Sequence, residues 1–239
     1  MEHTFRPHGD DSHTPHREAG GRFDSDLTAR GRFSDSNSWT PEDLYASPPP
    51  WDIGRPQSAL LALAKAGTVR GRVLDSGCGT GEHALMAASL GLDATGVDLA
   101  SNALGRARQK AHDRGLAARF LRWDARQLAD LGESFDTVLD SGLFHIFTGA
   151  DRAAYISSLR SALAVGGRYF MLGFSDQETG DRGDRRVQRL TRDEIRQSFT
   201  YGWRVDFIEP TTMDSTTDAN GIRAWFAGVT RTPEGGRSC

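Results

Sequence analysis

Between residues 71 and 231 short apolar strands alternate with helical stretches, and this alternation restricts the possible folds more than any other feature. "GRVLDS" (71–76), "DATGVDL" (93–99), "ARFLRWD" (118–124), "FDTVLDS" (135–141) and "RYFMLGF" (168–174) read as strands. The intervening segments predict helices: Glu82 to Leu90, closed by Gly91; Ser101, as N-cap, to about Arg114; and about Asp151 to Leu163, ending at Gly166-Gly167. A further helix is predicted near Arg192 to Ser198. The last two strands, "WRVDFIE" (203–209) and "RAWFAGVTR" (223–231), are joined by a short connection and predict an antiparallel hairpin.

Right-handed crossovers place helices on both faces of such a sheet, so it is expected to be α/β and mostly parallel. Ligands of these sheets bind beyond the C-terminal strand ends, near the point where strand order reverses. Ahead of the alternation, "WTPEDLYASPPPWDIGRPQ" predicts a short helix from Thr40-Pro41 and an extended proline stretch, followed by a helix over Gln57 to Ala66. Residues 1–38 are polar and His-rich with almost no aliphatics, a composition expected to be disordered. The expected organisation is a tail (1–38), a cap or lid segment (39–70), a cofactor-binding domain (71–232) and a flexible C-terminus (233–239).

A formal net charge of −3 argues against a dedicated nucleic-acid or anionic-membrane surface. No apolar run approaches the roughly 18 residues of a membrane span, and no secretory signal is visible. With only Cys78 and Cys239 present, a reducing cytoplasm is expected. The histidines of the tail (His3, His8, His13, His16) lack rigid ligand spacing, so no metal site is expected.

"VLDSGCGTGEHAL" (73–85) joins the first strand to its helix through Gly77, Gly79 and Gly81. A P-loop needs Lys and Ser/Thr after its last glycine, whereas here Glu82-His83 follows. A dinucleotide loop needs a third glycine at position 82, and a carboxylate at a helix N-terminus opposes pyrophosphate. The remaining pattern suits a cofactor without phosphate that carries a zwitterionic amino-acid end and a sulfonium: the glycines admit close approach, and Asp75 attracts the cation. Asp98 ends the second strand, where it can accept both ribose hydroxyls. "WDA" ends the third: Asp124 offers a carboxylate to an adenine amino group and Trp123 a flat ring.

This ordered set resembles the class I S-adenosylmethionine-dependent methyltransferases over residues 51 to 231. The resemblance implies a Rossmann-like, doubly wound seven-stranded sheet with one antiparallel edge. It further implies that Asp75, Gly77 and Gly79 contact the methionine portion, that Asp98 and Leu99 take ribose and adenine, and that Asp124 and Ala125 take the adenine edge. Ser141 is counted with this cofactor-binding set. "PPWDIGRPQ" (49–57) is similar to the N-terminal segment of thiol, thiopurine and halide methyltransferases, which implies Trp51 near the methionine end and Arg55 on its carboxylate; Trp39 and Tyr45 are further candidate lid aromatics. "WDIGRPQ", "VLDSGCGTGEHAL" and "DSGLFHIF" together resemble the mycobacterial-type methyltransferases of quinolone, quinone and other heterocyclic toxins.

That resemblance implies a small aromatic or heterocyclic acceptor, methylated on oxygen or nitrogen in a detoxifying reaction. A thiol or halide methyltransferase and a non-catalytic cofactor scaffold remain open. After the fourth strand the Asn/Asp-Pro-Pro-aromatic motif of base and amide methylases is absent. His145 stands there instead, as a base, a pocket contact or a structural histidine. The charged loop 175–190 is expected to be solvated.

Overall fold

The computed structural model describes residues 40–178 and 188–233. The tail, Trp39, most of the charged loop and residues 234–239 lie outside the described residues, with the expectations attached to them. A 3-10 turn (Pro41–Tyr45) and α1 (Ser58–Lys65) precede β1 (Arg72–Ser76), α2 (Glu82–Ser89), β2 (Asp93–Asp98), α3 (Ser101–Asp113) and β3 (Ala118–Arg122). After a second 3-10 turn (Ala125–Leu131) come β4 (Phe135–Ser141), a third (Phe144–Ile146), α4 (Gly149–Ala162), β5 (Leu163–Phe174), α5 (Arg192–Ser198), β6 (Trp203–Met213) and β7 (Ile222–Arg231).

These strands form one seven-stranded sheet in the order β3-β2-β1-β4-β5-β7-β6. The β1–β2, β1–β4, β2–β3 and β4–β5 pairs are parallel, and β7 runs antiparallel to both β5 and β6. Chain order reverses between β1 and β4, which opens the crevice beyond their C-terminal ends. Central burial explains the strand composition: Val73, Leu74, Val97, Val138 and Leu139 have no exposed surface, as strands covered on both faces require. One core, centred on Leu159, Tyr155, Tyr169 and Met171, lies between the sheet and α4 and α5. Another packs α1 and α2 against β1, β4 and β5 through Leu60, Val73, Leu139 and Phe170.

Three boundaries differ from expectation for physical reasons. β5 begins at Leu163, directly after α4, and carries Gly166-Gly167 within it, because Leu163 pairs with Phe135 across a register shift. The α3 N-cap is Ala100 rather than Ser101. Two carboxylates satisfy the first amides: Asp98 Oδ1, two residues back, accepts from Ala100 N (2.8 Å), and distant Glu42 Oε1 accepts from Ser101 N (3.1 Å). β6 extends through Pro210 to Met213, which its position at the sheet edge permits. Among the described residues no helix is long and apolar enough to cross a membrane, and no cluster of three or more His, Cys, Asp or Glu could hold a metal.

Candidate cofactor and acceptor site

Three adjacent strands end in aspartates: Asp75 on β1 and Asp140 on β4 are buried, and Asp98 on β2 is half-buried. Asp75 Oδ2 accepts from Ala84 N at 3.0 Å, whereas its Oδ1 is buried without a partner. Burial, aided by the charges of Asp98, Asp140 and Glu82, pushes this carboxyl up to about 8. Asp98 is also raised by burial, against hydrogen bonds from Ala100 N and Gly79 N, the latter at 2.8 Å to Oδ2. Among the described residues no lysine or arginine pairs with any of the three. The nearest basic group to Asp75 is His83, whose Nδ1 lies 3.9 Å from Oδ1 and whose burial lowers it to about 4, so it stays neutral.

The glycine loop lies between these carboxylates. At Gly79 (φ +52°) a Cβ would stand 2.5 Å from the Tyr45 hydroxyl, so only glycine fits beneath that ring. Tyr45 is buried. Thr80 Oγ1 donates to Asp52 Oδ1 at 2.8 Å, and Gln57 N donates to His83 Nε2 at 3.2 Å. The N-terminal segment is thereby fastened across the loop.

S-adenosylmethionine can be tested against this geometry. A buried acceptor without a partner, in a cradle of carboxylates without cations, suits a ligand bearing an ammonium and a sulfonium and opposes a polyphosphate. The exclusion of phosphate therefore stands, but the reason drawn from Glu82 is corrected. Glu82 is buried and bonded to Lys110 (2.8 Å) and to Arg114 (2.8 and 2.9 Å). Burial raises its carboxyl, but these two cations outweigh burial and hold it below the usual range. Its charge is spent on α3 and is not presented to a ligand.

The other expected residues are placed as follows. Trp123 turns its indole N–H onto the Gln127 carbonyl (2.9 Å). Asp124 caps the following turn through Arg126 N (2.8 Å) and pairs with the Arg126 guanidinium at 2.7 Å. The carbonyl of Ala125 accepts from Ser158 Oγ (2.8 Å), and that of Leu99 accepts from Arg122 Nε (3.0 Å). Ser141 is half-buried at the end of β4, across the crevice. Trp51 packs on Leu172, Met213 and Ala224. Arg55 departs from expectation: it is 54% exposed, and its guanidinium already pairs with Asp214 at 2.9 Å, tying the N-terminal segment to the β6–β7 connection.

Sequence reasoning missed Asp140 and its partners. Asp140 Oδ2 accepts the hydroxyls of Tyr155 (2.8 Å) and Tyr169 (2.7 Å), and Oδ1 accepts Leu143 N (2.9 Å) and Phe144 N (3.3 Å). Burial pushes its carboxyl up to about 6 although these bonds pull it down. It fixes the turn that carries His145. The available signal was the repeated strand ending Asp-Ser at 75–76 and 140–141.

A sheet that reverses between β1 and β4, with an acidic glycine loop at the reversal, defines a class I S-adenosylmethionine-dependent methyltransferase, and the chain belongs to that family. Residues 73–167 match the methyltransferase domain. The chain is 35% identical, over 74% of its length and 78% of the relative's, to the 2-heptyl-1-hydroxyquinolin-4(1H)-one methyltransferase of Mycobacteroides abscessus. It is also similar to a solved protein described by the conversion of a disulfide bond into a thioacetal group during echinomycin biosynthesis, with 38% identity, a TM-score of 0.70, and coverage of 78% of this chain and 85% of that one. Magnesium protoporphyrin IX methyltransferase from Synechocystis PCC 6803, solved with bound SAM, shares the fold at 24% identity and a TM-score of 0.56, over 73% of this chain and 77% of that one.

Proposed function

We propose that this enzyme methylates a hydroxylated aromatic heterocycle of the quinolone or quinone type, on oxygen or nitrogen, as a detoxifying step. The observation that carries the reading is the unpartnered carboxyl oxygen of Asp75 at the end of β1 together with an apolar cluster that includes Trp51. To the cofactor we assign Asp75, Gly77, Gly79, Asp98, Leu99, Trp123, Asp124, Ala125 and Ser141, at the glycine loop and the strand ends around it. Trp51 and Phe174, partly buried against Leu172 and Met213, are the apolar side chains assigned to a flat acceptor. The identity to a hydroxyquinolone methyltransferase supports the acceptor class. When bound, S-adenosylmethionine supplies a methyl group activated by its sulfonium. The protein's part is to align the acceptor and exclude water, which accounts for much of the rate of such displacements. Buried, free Cys78 fits a reducing, cytoplasmic location.

A sulfur acceptor is the second reading, favoured by the similarity to the protein of the disulfide-to-thioacetal conversion. The test is a screen with methyl-labelled cofactor across hydroxyquinolones, simple phenols, thiols and iodide. Label in hydroxylated heterocycles is expected. Label in thiols alone supports the second reading. Tight S-adenosylhomocysteine binding without turnover of any acceptor identifies a scaffold.

A further inference from the structure

His145 is held in one orientation. Its Nδ1 accepts the Phe174 N–H at 3.0 Å, and its ring packs on the Phe174 ring with centroids 4.6 Å apart. A nitrogen that accepts an amide proton carries none of its own, so the proton of the neutral ring sits on Nε2. Burial first, and the charge of Arg152 second, lower the imidazole to about 3 and keep it neutral. Among the described residues Nε2 has no hydrogen-bond partner. It borders Gly142, where a Cβ would stand 3.8 Å from Nε2 and 3.8 Å from Met213 Cε. Gly142, at φ +88°, is half-buried and brings no side chain of its own against the ring.

Building on the function proposed above, we infer that His145 binds the acceptor as a hydrogen-bond donor and that the site selects heterocycles already ionised at the reactive oxygen. A general base must offer a lone pair to the acceptor, and the lone pair of this ring is spent on Phe174. A free N–H beside half-buried Gly142, reinforced by the positive charge of Arg152, stabilises an oxyanion. Arg152 is anchored by its Nε to the Phe147 carbonyl at 2.9 Å, over the Phe144 ring. Asp140, the other charged group at this turn, is directed away, onto Tyr155, Tyr169 and two turn amides. The step balances without a base. An oxygen lone pair forms the new C–O bond, the C–S pair stays on sulfur, anion and sulfonium become neutral ether and thioether, and no proton remains to be removed.

The test is the absorption spectrum of a hydroxyquinolone titrated with acid and base, free and bound to protein saturated with S-adenosylhomocysteine. The wild type is expected to favour the bound anion about tenfold. His145→Asn and His145→Gln, whose amides still donate, should retain most of that preference, and His145→Ala should lose it. Across acceptors of graded acidity, kcat/KM should follow each acceptor's own ionisation, with no further inflection near 6.5. A bound acceptor that stays protonated overturns the inference. So does a neutral-pH inflection that belongs to the enzyme and vanishes equally in the Asn and Ala variants. If the spectrum shifts but no heterocycle is methylated, the proposed function fails and the donor assignment stands.

Discussion

The Tyr45 hydroxyl stands over Gly79 so closely that a Cβ on that glycine would lie 2.5 Å away. This contact joins the N-terminal segment to the loop that distinguishes the family, and it makes one residue of each element answerable to the other. Gly79→Ala is expected to weaken S-adenosylhomocysteine binding by at least tenfold in calorimetry, because it adds both a clash and a left-handed strain of about 1 kcal/mol. Pairing it with Tyr45→Ala removes the clash alone and should restore part of the affinity. Unchanged affinity in Gly79→Ala would show that the loop tolerates a side chain here.

Asp75 gives a pH dependence whose sign can be worked out. Its carboxyl is raised from 3.8 to about 8 in the fold, so between those values the folded chain holds a proton that the unfolded chain releases. The contribution of Asp75 to stability is therefore present at low pH and lost as pH rises through about 8. A cationic ligand favours the ionised form and should expel a proton. Calorimetry in buffers of different ionisation enthalpy should register proton release near pH 7 in the wild type and none in Asp75→Asn. Equal release in both would assign the proton elsewhere.

Glu82 is a structural anchor, and its neutralisation by Lys110 and Arg114 makes a negative prediction. Glu82→Gln leaves two cations without their buried partner and should cost about 2 kcal/mol in urea unfolding. It should not create NADH binding, because among the described residues no lysine or arginine pairs with Asp75 or Asp98 at the loop to receive a pyrophosphate. Micromolar NADH affinity in this variant would contradict that assignment of charge.

The turn after β4 depends on Asp140. Tyr169→Phe removes one of its two tyrosine donors and should cost about 1–2 kcal/mol of stability, with the methyl acceptor's KM rising more than that of the cofactor. Equal changes in both KM values would mean that the network supports the whole crevice rather than the acceptor side.

The sheet was legible because strands buried on both faces write themselves as short apolar runs, and the glycines and strand-end aspartates mark the crevice. Asp75 and Asp98 could be found because they sit at fixed offsets from the loop. The fate of their neighbours could not be read in this way, because it depends on contacts between distant segments. Glu82 meets Lys110 and Arg114 across 28 and 32 residues. Arg55 meets Asp214 across 159. Asp140 reaches Tyr169 across 29. Ser101 looked like a cap because local sequence cannot reveal that Glu42, 59 residues away, accepts its amide. The tautomer of His145 likewise depends on an amide of β5.

The most direct test of the central claim is a competition in one vessel: wild-type protein, methyl-labelled S-adenosylmethionine, and equal concentrations of a hydroxyquinolone and an aryl thiol, with products read by mass spectrometry. Label is expected to accumulate in the hydroxyquinolone as its methyl ether, at least tenfold faster than in the thiol. Label confined to the thiol, or transferred to neither while the cofactor is bound, would contradict it.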